Sequence, residues 1–419
     1  MKTISVIGLG NRGSEYMGFI KAFHSKKVKL HSLCDISKQA LADIAPKFGI
    51  PDERCYGSTD DFFSQGVICD ALIIATQDAS HYEIARKALE TGYKYILLEK
   101  PVSGNKDEYI HLRDLAVEKK ALLIICHVLR YSNYYRKIKE IISSGRIGEI
   151  ISINHTENVG YFHFAHSFVR GNWHDEFTST PSILAKCCHD IDLISWFIDS
   201  PCTSVSSIGG LRYFNAENAP TGATKTCMGG CKAKNSCPYD AEKLYITDPF
   251  YKAKFIKHMK RTLTGKMNNS KQDIVEAIKC GDYGKCVFLN DNNVCDHQIV
   301  TMNFKNGATA VLNMNAFSDK MFRECHIVGT KGELIGYGTD LEMRIFGGKS
   351  GKVFTGSPSI SGHVEGDIRI VAGFVKLVCG ETDDLTDITT IEATVESHNI
   401  ALAAEESRKN NGVFVELNR

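Results

Sequence analysis

Apolar residues alternate from Thr3 to Ile7, stop at Gly8, and then recur at helical spacing from Ser14 to Phe23. A period of two giving way to a period near 3.6, with glycines at the junction, predicts a strand, a tight turn and a helix. The alternation continues with strand runs at Val28–Cys34, Ala71–Ala75, Tyr95–Leu98 and Leu122–Cys126, and helical stretches at His81–Thr91 and Glu108–Glu118. Strands joined by helical crossovers predict a parallel sheet that binds ligands at its carboxyl edge. From Ile147 onward the pattern becomes Ile150–His155, Gln298–Phe304, Ala308–Met314 and Phe322–Val328, alternating runs that suit an antiparallel sheet with one buried face. Two domains follow, 1–126 and 127–419, the second carrying an insertion at about 215–296.

One helix stands out. In Ala185–Trp196, AKCCHDIDLISW, helical geometry puts His189, Leu193 and Trp196 on one side and Ile191, Ile194 and Ile198 in a second stripe. So few polar positions predict a buried helix. Asp190 falls among the apolar ones, where a carboxylate needs a cationic or hydrogen-bonding partner, as a structural pair or as a substrate-orienting group. A final helical run, Thr389–Asn410, ends in an NNG stop signal and is expected to close the chain against the domain junction.

The glycine turn reads Gly8-Leu9-Gly10-Asn11-Arg12-Gly13. Between a strand and a helix, Gly8 suits the tight turn, Gly10 the close approach of a pyrophosphate and Gly13 the packing of helix on strand. Asp35 closes the second strand where this fold places the acid for a ribose 2′-hydroxyl. A carboxylate there repels a 2′-phosphate, so NAD is favoured over NADP. Thr76, Glu99, Lys100 and His127 each follow a strand, where binding residues are expected.

A net charge of +1 gives no reason to expect a nucleic acid or an anionic membrane as partner. MKTISVIGLG reads as a strand rather than a signal peptide, and no apolar run reaches bilayer-spanning length, so a cytoplasmic protein is expected. In a reducing compartment, most of the 15 cysteines then serve as small buried hydrophobes.

With GLGNRG and CDIS, the segments ATQDASH, LEKP, HVLRY, HSFVRGNW, CCHDIDLISW and GTKGEL resemble the Gfo/Idh/MocA oxidoreductases across essentially the whole chain. The resemblance implies an α/β protein: an N-terminal Rossmann domain, then an α/β domain built on a large, mostly antiparallel sheet, with the active site between them. It implies an NAD-dependent dehydrogenase acting on a small carbohydrate or polyol, organised as a homo-oligomer, dimer or tetramer. Net glycoside hydrolysis through transient oxidation, and non-enzymatic NAD-dependent regulation, are the other activities this fold carries. The lysine of EKP makes Lys100 the leading catalytic residue, with His189 beside it for hydroxyl recognition and proton transfer. Asn11, Arg12, Thr76, His81 and Glu99 join the glycines and Asp35 on the cofactor. Arg130, His166, Arg170, Trp173, Asp190 and His363 are the substrate-side candidates. Relatives commonly carry an acid four residues before the histidine; here that residue is Ala185.

Some of these residues also carry plainer readings. Tyr161–Trp173 can be core aromatics around a loop, and His363 can sit in a turn before an Asp367 N-cap. Cys227, Cys231 and Cys237 with Cys286 can form a tetrahedral structural zinc site, although CxxxCxxxxxC is not zinc-ribbon spacing; free thiols are the other reading.

Overall fold

The computed structural model describes residues 1–247, 254–356 and 363–417, with the backbone alone for 254–258 and 363. Six strands form the first sheet: β1 (Lys2–Ile7), β2 (Val28–Cys34), β3 (Cys55–Tyr56), β4 (Ala71–Ile74), β5 (Tyr95–Leu98) and β6 (Leu122–Ile125). All neighbours are parallel, in the order β3-β2-β1-β4-β5-β6. The order reverses between β1 and β4, which opens a crevice at their carboxyl ends. The crossovers are helices α1 (Asn11–Phe19), α2 (Lys38–Phe48), α3 (Thr59–Ser64), α4 (His81–Thr91) and α5 (Lys106–Glu118). All four residues of β4 are buried, as an unbroken apolar strand covered on both faces must be. The predicted first helix is shorter than its apolar pattern, because its last turn widens into a π-helical segment, Ile20–His24.

After α6 (Asn133–Ser143), a second sheet begins with β7 (Ile150–Asn158). The short α7 (Tyr161–Phe164) and the long α8 (Ser182–Ile198) follow, then β8 (Cys202–Gly210), and within the insertion α9 (Lys254–Thr264) and α10 (Lys271–Cys280). Strands β9 (His297–Phe304), β10 (Thr309–Asn315), β11 (Phe322–Gly329), β12 (Gly332–Tyr337), β13 (Asp340–Ile345) and β14 (Ser350–Thr355) lead to helices α11 (His363–Val378) and α12 (Ile391–Lys409) and to β15 (Val415–Glu416). The sheet runs β14-β13-β12-β11-β7-β10-β9-β8-β15 and is antiparallel except where β7 meets β10.

Helix α8 lies across this sheet, buried except at Lys186, Ser195 and Trp196, as the AKCCHDIDLISW pattern requires. Its outer side meets α12, which also touches α5 and β6 and so bridges the two sheets. One arrangement runs against chain order. Ile370, Val371, Phe374 and Val375 of α11 complete the apolar core beneath β1 and β2, so a helix from late in the chain covers a face of the first sheet.

Candidate active site

The glycine loop is dictated by backbone contacts. Gly8 has φ of 91°, and a side chain there would stand 2.5 Å from the Ala75 carbonyl oxygen. A Cβ on Gly13 would lie 2.0 Å from the Gly8 carbonyl oxygen. Gly10 has nothing within 4 Å of that position, leaving the open approach a pyrophosphate needs. Asp35 accepts a 2.6 Å bond from the Leu9 amide and a 2.7 Å bond from the Ser37 amide, one on each oxygen. That leaves lone pairs for a pair of ribose hydroxyls, so the residues present fit the adenosine end of NAD. Thr76 adjoins the loop and accepts from Ser80 Oγ at 2.8 Å.

The insertion reaches this loop too. Arg261 of α9 donates to the Leu9 carbonyl, and the neighbouring Thr262 Oγ1 accepts from Asn11 at 3.1 Å. Asp35, Glu15 and Asp43 surround the Arg261 guanidinium closely enough to act on its charge. The motif reading missed Arg261, which lies about 250 residues from the loop; a run of basic residues in KFIKHMKRTLT was its only signal.

Three residues expected at the cofactor make contacts within the protein. The Arg12 guanidinium donates to Glu99 Oε1 at 2.7 Å and to both oxygens of Asp367 in α11, at 2.5 and 2.8 Å. Glu99 also accepts from the Tyr16 hydroxyl at 2.5 Å. Burial pushes its carboxyl up, but Arg12 and Tyr16 outweigh that and hold it below the usual range. Asp367 is therefore a buried ion-pair partner rather than an N-cap, its helix having started at His363. His81 spans the Pro101 and Thr76 carbonyls at 2.6 and 3.1 Å, tying the β4 loop to the β5 loop. Arg12, Glu99 and His81 thus hold the scaffold of the cofactor loops.

Lys100 follows β5, and its Nζ donates a 2.7 Å hydrogen bond to the Ala185 carbonyl. The Lys100–Pro101 peptide is cis. Trp173 lies beside the ammonium, 6.0 Å from Nζ to the ring centroid, and its Nε1 donates to Asp78 Oδ2 at 2.7 Å. His189, one turn beyond Ala185 on the same side of α8, is 3% exposed. The His127 ring meets it edge-on at 5.7 Å. His127 is fully buried, and neither ring nitrogen has a hydrogen-bond partner among the described residues. Burial, reinforced by Arg130 and Lys100, drives its pKa well below the ordinary imidazole value, so it is neutral and able to bond a hydroxyl. Its place after β6 was the signal for a binding residue.

Asp190 and Arg130 are both engaged in buried ion pairs. Asp190 accepts from Arg323 Nε at 2.6 Å and is bonded by His155 Nε2 at 2.7 Å, fully buried. Burial pushes its carboxyl up, but Arg323 and His155 more than reverse this and hold it ionised. Lys186 and Arg323 both pair with Glu157, at 3.0 and 2.8 Å, completing a buried charge network between α8 and the sheet. Of the two uses open to Asp190, the structural pair is the one found. Arg130 forks onto both carboxylate oxygens of Asp192 at 2.6 Å, with its guanidinium 5.4 Å from the centre of the Trp196 ring.

His166 and Arg170 face the insertion instead of the lysine. His166 bonds the Tyr245 hydroxyl at 3.0 Å and stacks on Tyr283 at 4.7 Å; burial, then Arg170, lowers its pKa to about 3. Arg170 donates to the Lys285 and Tyr239 carbonyls and to the Cys227 sulfur. It borders a cavity also lined by Cys227, Cys231, Cys237 and Cys286, the four cysteines singled out above. The side chain of His363 lies outside the described residues.

A parallel sheet with a strand-order reversal, a glycine loop, an acid after β2 and an attached α/β sheet define a Rossmann-type dinucleotide-binding protein. The chain belongs to the Gfo/Idh/MocA oxidoreductases: residues 2–127 match that family's NAD-binding Rossmann fold and residues 139–417 its C-terminal alpha/beta domain. It is 26% identical over 248 residues to the putative oxidoreductase YteT of Bacillus subtilis (strain 168), covering 57% of each chain. It is also 26% identical over 220 residues to the scyllo-inositol 2-dehydrogenase (NADP(+)) IolW of the same strain, covering 52% of this chain and 56% of that one. The chain therefore matches somewhat over half the length of these two relatives. An inositol dehydrogenase homologue complexed with NAD+ from Azotobacter vinelandii shares the fold, with a TM-score of 0.71 at 15% identity and coverage of 99% and 97%.

Proposed function

We propose that the protein is an NAD-dependent dehydrogenase of a hydroxyl-bearing carbon in a sugar, polyol or sugar derivative. The observation that carries this reading is the convergence of Lys100, fixed by the Ala185 carbonyl, with His189 one turn along α8, at the carboxyl edge of a dinucleotide sheet. Bound NAD supplies a hydride acceptor at C4 of its nicotinamide. The chain's own part is to align the substrate and move one proton.

Lys100 and His189 hold the reacting hydroxyl and relay its proton as the carbon–hydrogen bond gives up its hydride. Neutral His127, with both nitrogens unsatisfied, takes a second hydroxyl. Trp173, anchored by Asp78, gives the sugar an apolar wall beside the lysine. Asp35 makes NAD the preferred cofactor over NADP, because a 2′-phosphate would stand against its carboxylate.

A homo-oligomer is part of the proposal. Ile208 and Ile299 are paired across β8 and β9 and exposed, and stand on an open face of the second sheet.

A panel of sugars and polyols, run beside aryl glycosides, tests the reading. NADH formed with a polyol or sugar supports it. Aglycone released without net NADH would instead mean hydrolysis through transient oxidation, and bound NAD with no turnover a regulatory role.

A further inference from the structure

The first stretch of the insertion carries little regular secondary structure. Among the described residues, the only helix between Leu211 and Asp240 is the three-residue turn Ala216–Asn218, and the only pairing to another segment in strand fashion is the single bridge of Thr226 to Lys285. That bridge is flanked by bonds from the Cys227 amide to the Gly284 carbonyl, 2.8 Å, and from the Cys286 amide to the Lys225 carbonyl, 2.9 Å. Its effect is to set Cys227 beside Cys286. The turns at Gly229 and Cys237 then bring the rest of the loop back, so that Cys231 and Cys237 line the same cavity.

We propose that these four cysteines bind one structural zinc ion. The cavity measures about 20 Å³, room for a single ion or water and too small for an iron–sulfur cluster. Four soft sulfur donors of irregular spacing select zinc among common divalent ions. Binding exchanges four S–H bonds for four Zn–S bonds and releases the protons to solvent, with no change of oxidation state. The tetrathiolate carries a net charge of −2, and a counter-charge stands next to it. Arg170 is 3% exposed and its Nη2 lies 3.4 Å from the Cys227 sulfur. A buried guanidinium needs negative charge nearby, and a zinc tetrathiolate supplies it.

Among the described residues, the one set of three or more His, Cys, Asp or Glu whose ligand atoms all lie within 4.8 Å of one another is His127, Cys188 and His189. That set belongs to the cleft already described. On this proposal the insertion's sulfurs draw together as the ion binds, the coupling of binding to local folding that small metal sites show. Arg170 precedes Trp173 by three residues, so the same contraction braces the segment that carries Trp173 to Lys100.

The test is metal content and cobalt spectroscopy on the full chain. About one zinc per chain is expected after purification in zinc-supplemented buffer, with none in Cys231→Ser or Cys286→Ser. Cys280→Ser, at an exposed thiol outside the cavity, keeps its zinc. Metal-free protein titrated with Co2+ develops the intense visible bands of tetrahedral thiolate coordination, and Zn2+ abolishes them; this holds the test open where a serine variant does not fold. Zinc-free protein that gains no cobalt bands overturns the proposal, as do bound iron with a brown colour and unchanged zinc in both cavity variants.

Discussion

The Lys100 ammonium donates its 2.7 Å hydrogen bond to the Ala185 carbonyl, four residues ahead of His189 on α8. A neutral carbonyl orients it without neutralising it, which leaves its charge available to a developing alkoxide. Lys100→Met keeps the aliphatic stem and removes the charge and the donors. Turnover is expected to fall about 10²- to 10⁴-fold, with the NAD dissociation constant unchanged by calorimetry. Turnover at the wild-type rate would remove Lys100 from the mechanism.

Arg261 and Asp35 flank Leu9 from opposite sides, one on its carbonyl and one on its amide. Arg261→Ala is expected to weaken NAD about 10-fold, through loss of the charge-assisted bond that holds the Leu9 carbonyl of the glycine loop. Asp35→Ser removes the repulsion of a 2′-phosphate and narrows the gap between NAD and NADP. Both are read by binding titration with the two dinucleotides; an unaltered preference in Asp35→Ser contradicts the assigned role of the acid.

Asp190 is a structural charge, and its variants should behave accordingly. Arg323→Met leaves Asp190 and Glu157 buried without their guanidinium and should cost about 3–5 kcal/mol of unfolding free energy in urea. Asp190→Asn should also lose stability while leaving KM for the substrate in place. A raised KM with intact stability would return Asp190 to the substrate.

His398 carries a signature in pH. Its Nε2 accepts from the Val102 amide at 3.0 Å and its Nδ1 lies 3.2 Å from the Thr394 carbonyl; burial, with His127 adding to it, lowers its pKa from 6.5 to about 3. An unfolded histidine takes up a proton below pH 6.5 while the folded one does not. Stability is therefore lost as pH falls from 6.5 toward 3, and His166 acts in the same direction. His398→Gln can keep both hydrogen bonds and cannot titrate. Between pH 7 and 5 it should lose about 2 kcal/mol less than wild type by urea unfolding. The depressed carboxyls do not confuse the comparison, because Glu99 and Asp190 contribute only below their ordinary values of 4.5 and 3.8. Parallel losses in the two proteins would contradict the neutral state of His398.

The backbone was more legible in the sequence than the charges. Gly8 and Gly13 are required by atoms within a few residues of the same strand–turn–helix, and the burial of α8 follows from its own apolar periodicity, so local pattern sufficed. The contacts of Arg12, Asp190 and Arg170 were not legible because their partners, Asp367, Arg323 and Cys227, are separated from them by 355, 133 and 57 residues. An arginine in the first turn after a glycine loop looks the same in sequence whether it meets a phosphate or a buried aspartate. Arg261 escaped notice for the same reason, since only the docking of α9 on α1 brings it to the loop. The resemblance to a known family pointed to Lys100 and His189, the strand-end position pointed to His127, and the geometry set the His127 ring against His189.

The most direct test of the account follows the hydride itself. A turned-over polyol or sugar, deuterated at the carbon that becomes the carbonyl, is incubated with the enzyme and NAD, and the reduced cofactor is examined by mass spectrometry. The account predicts one deuterium in each NADH formed, with the yield collapsing in Lys100→Met. Oxidised product accompanied by unlabelled NADH, or by none, would contradict it.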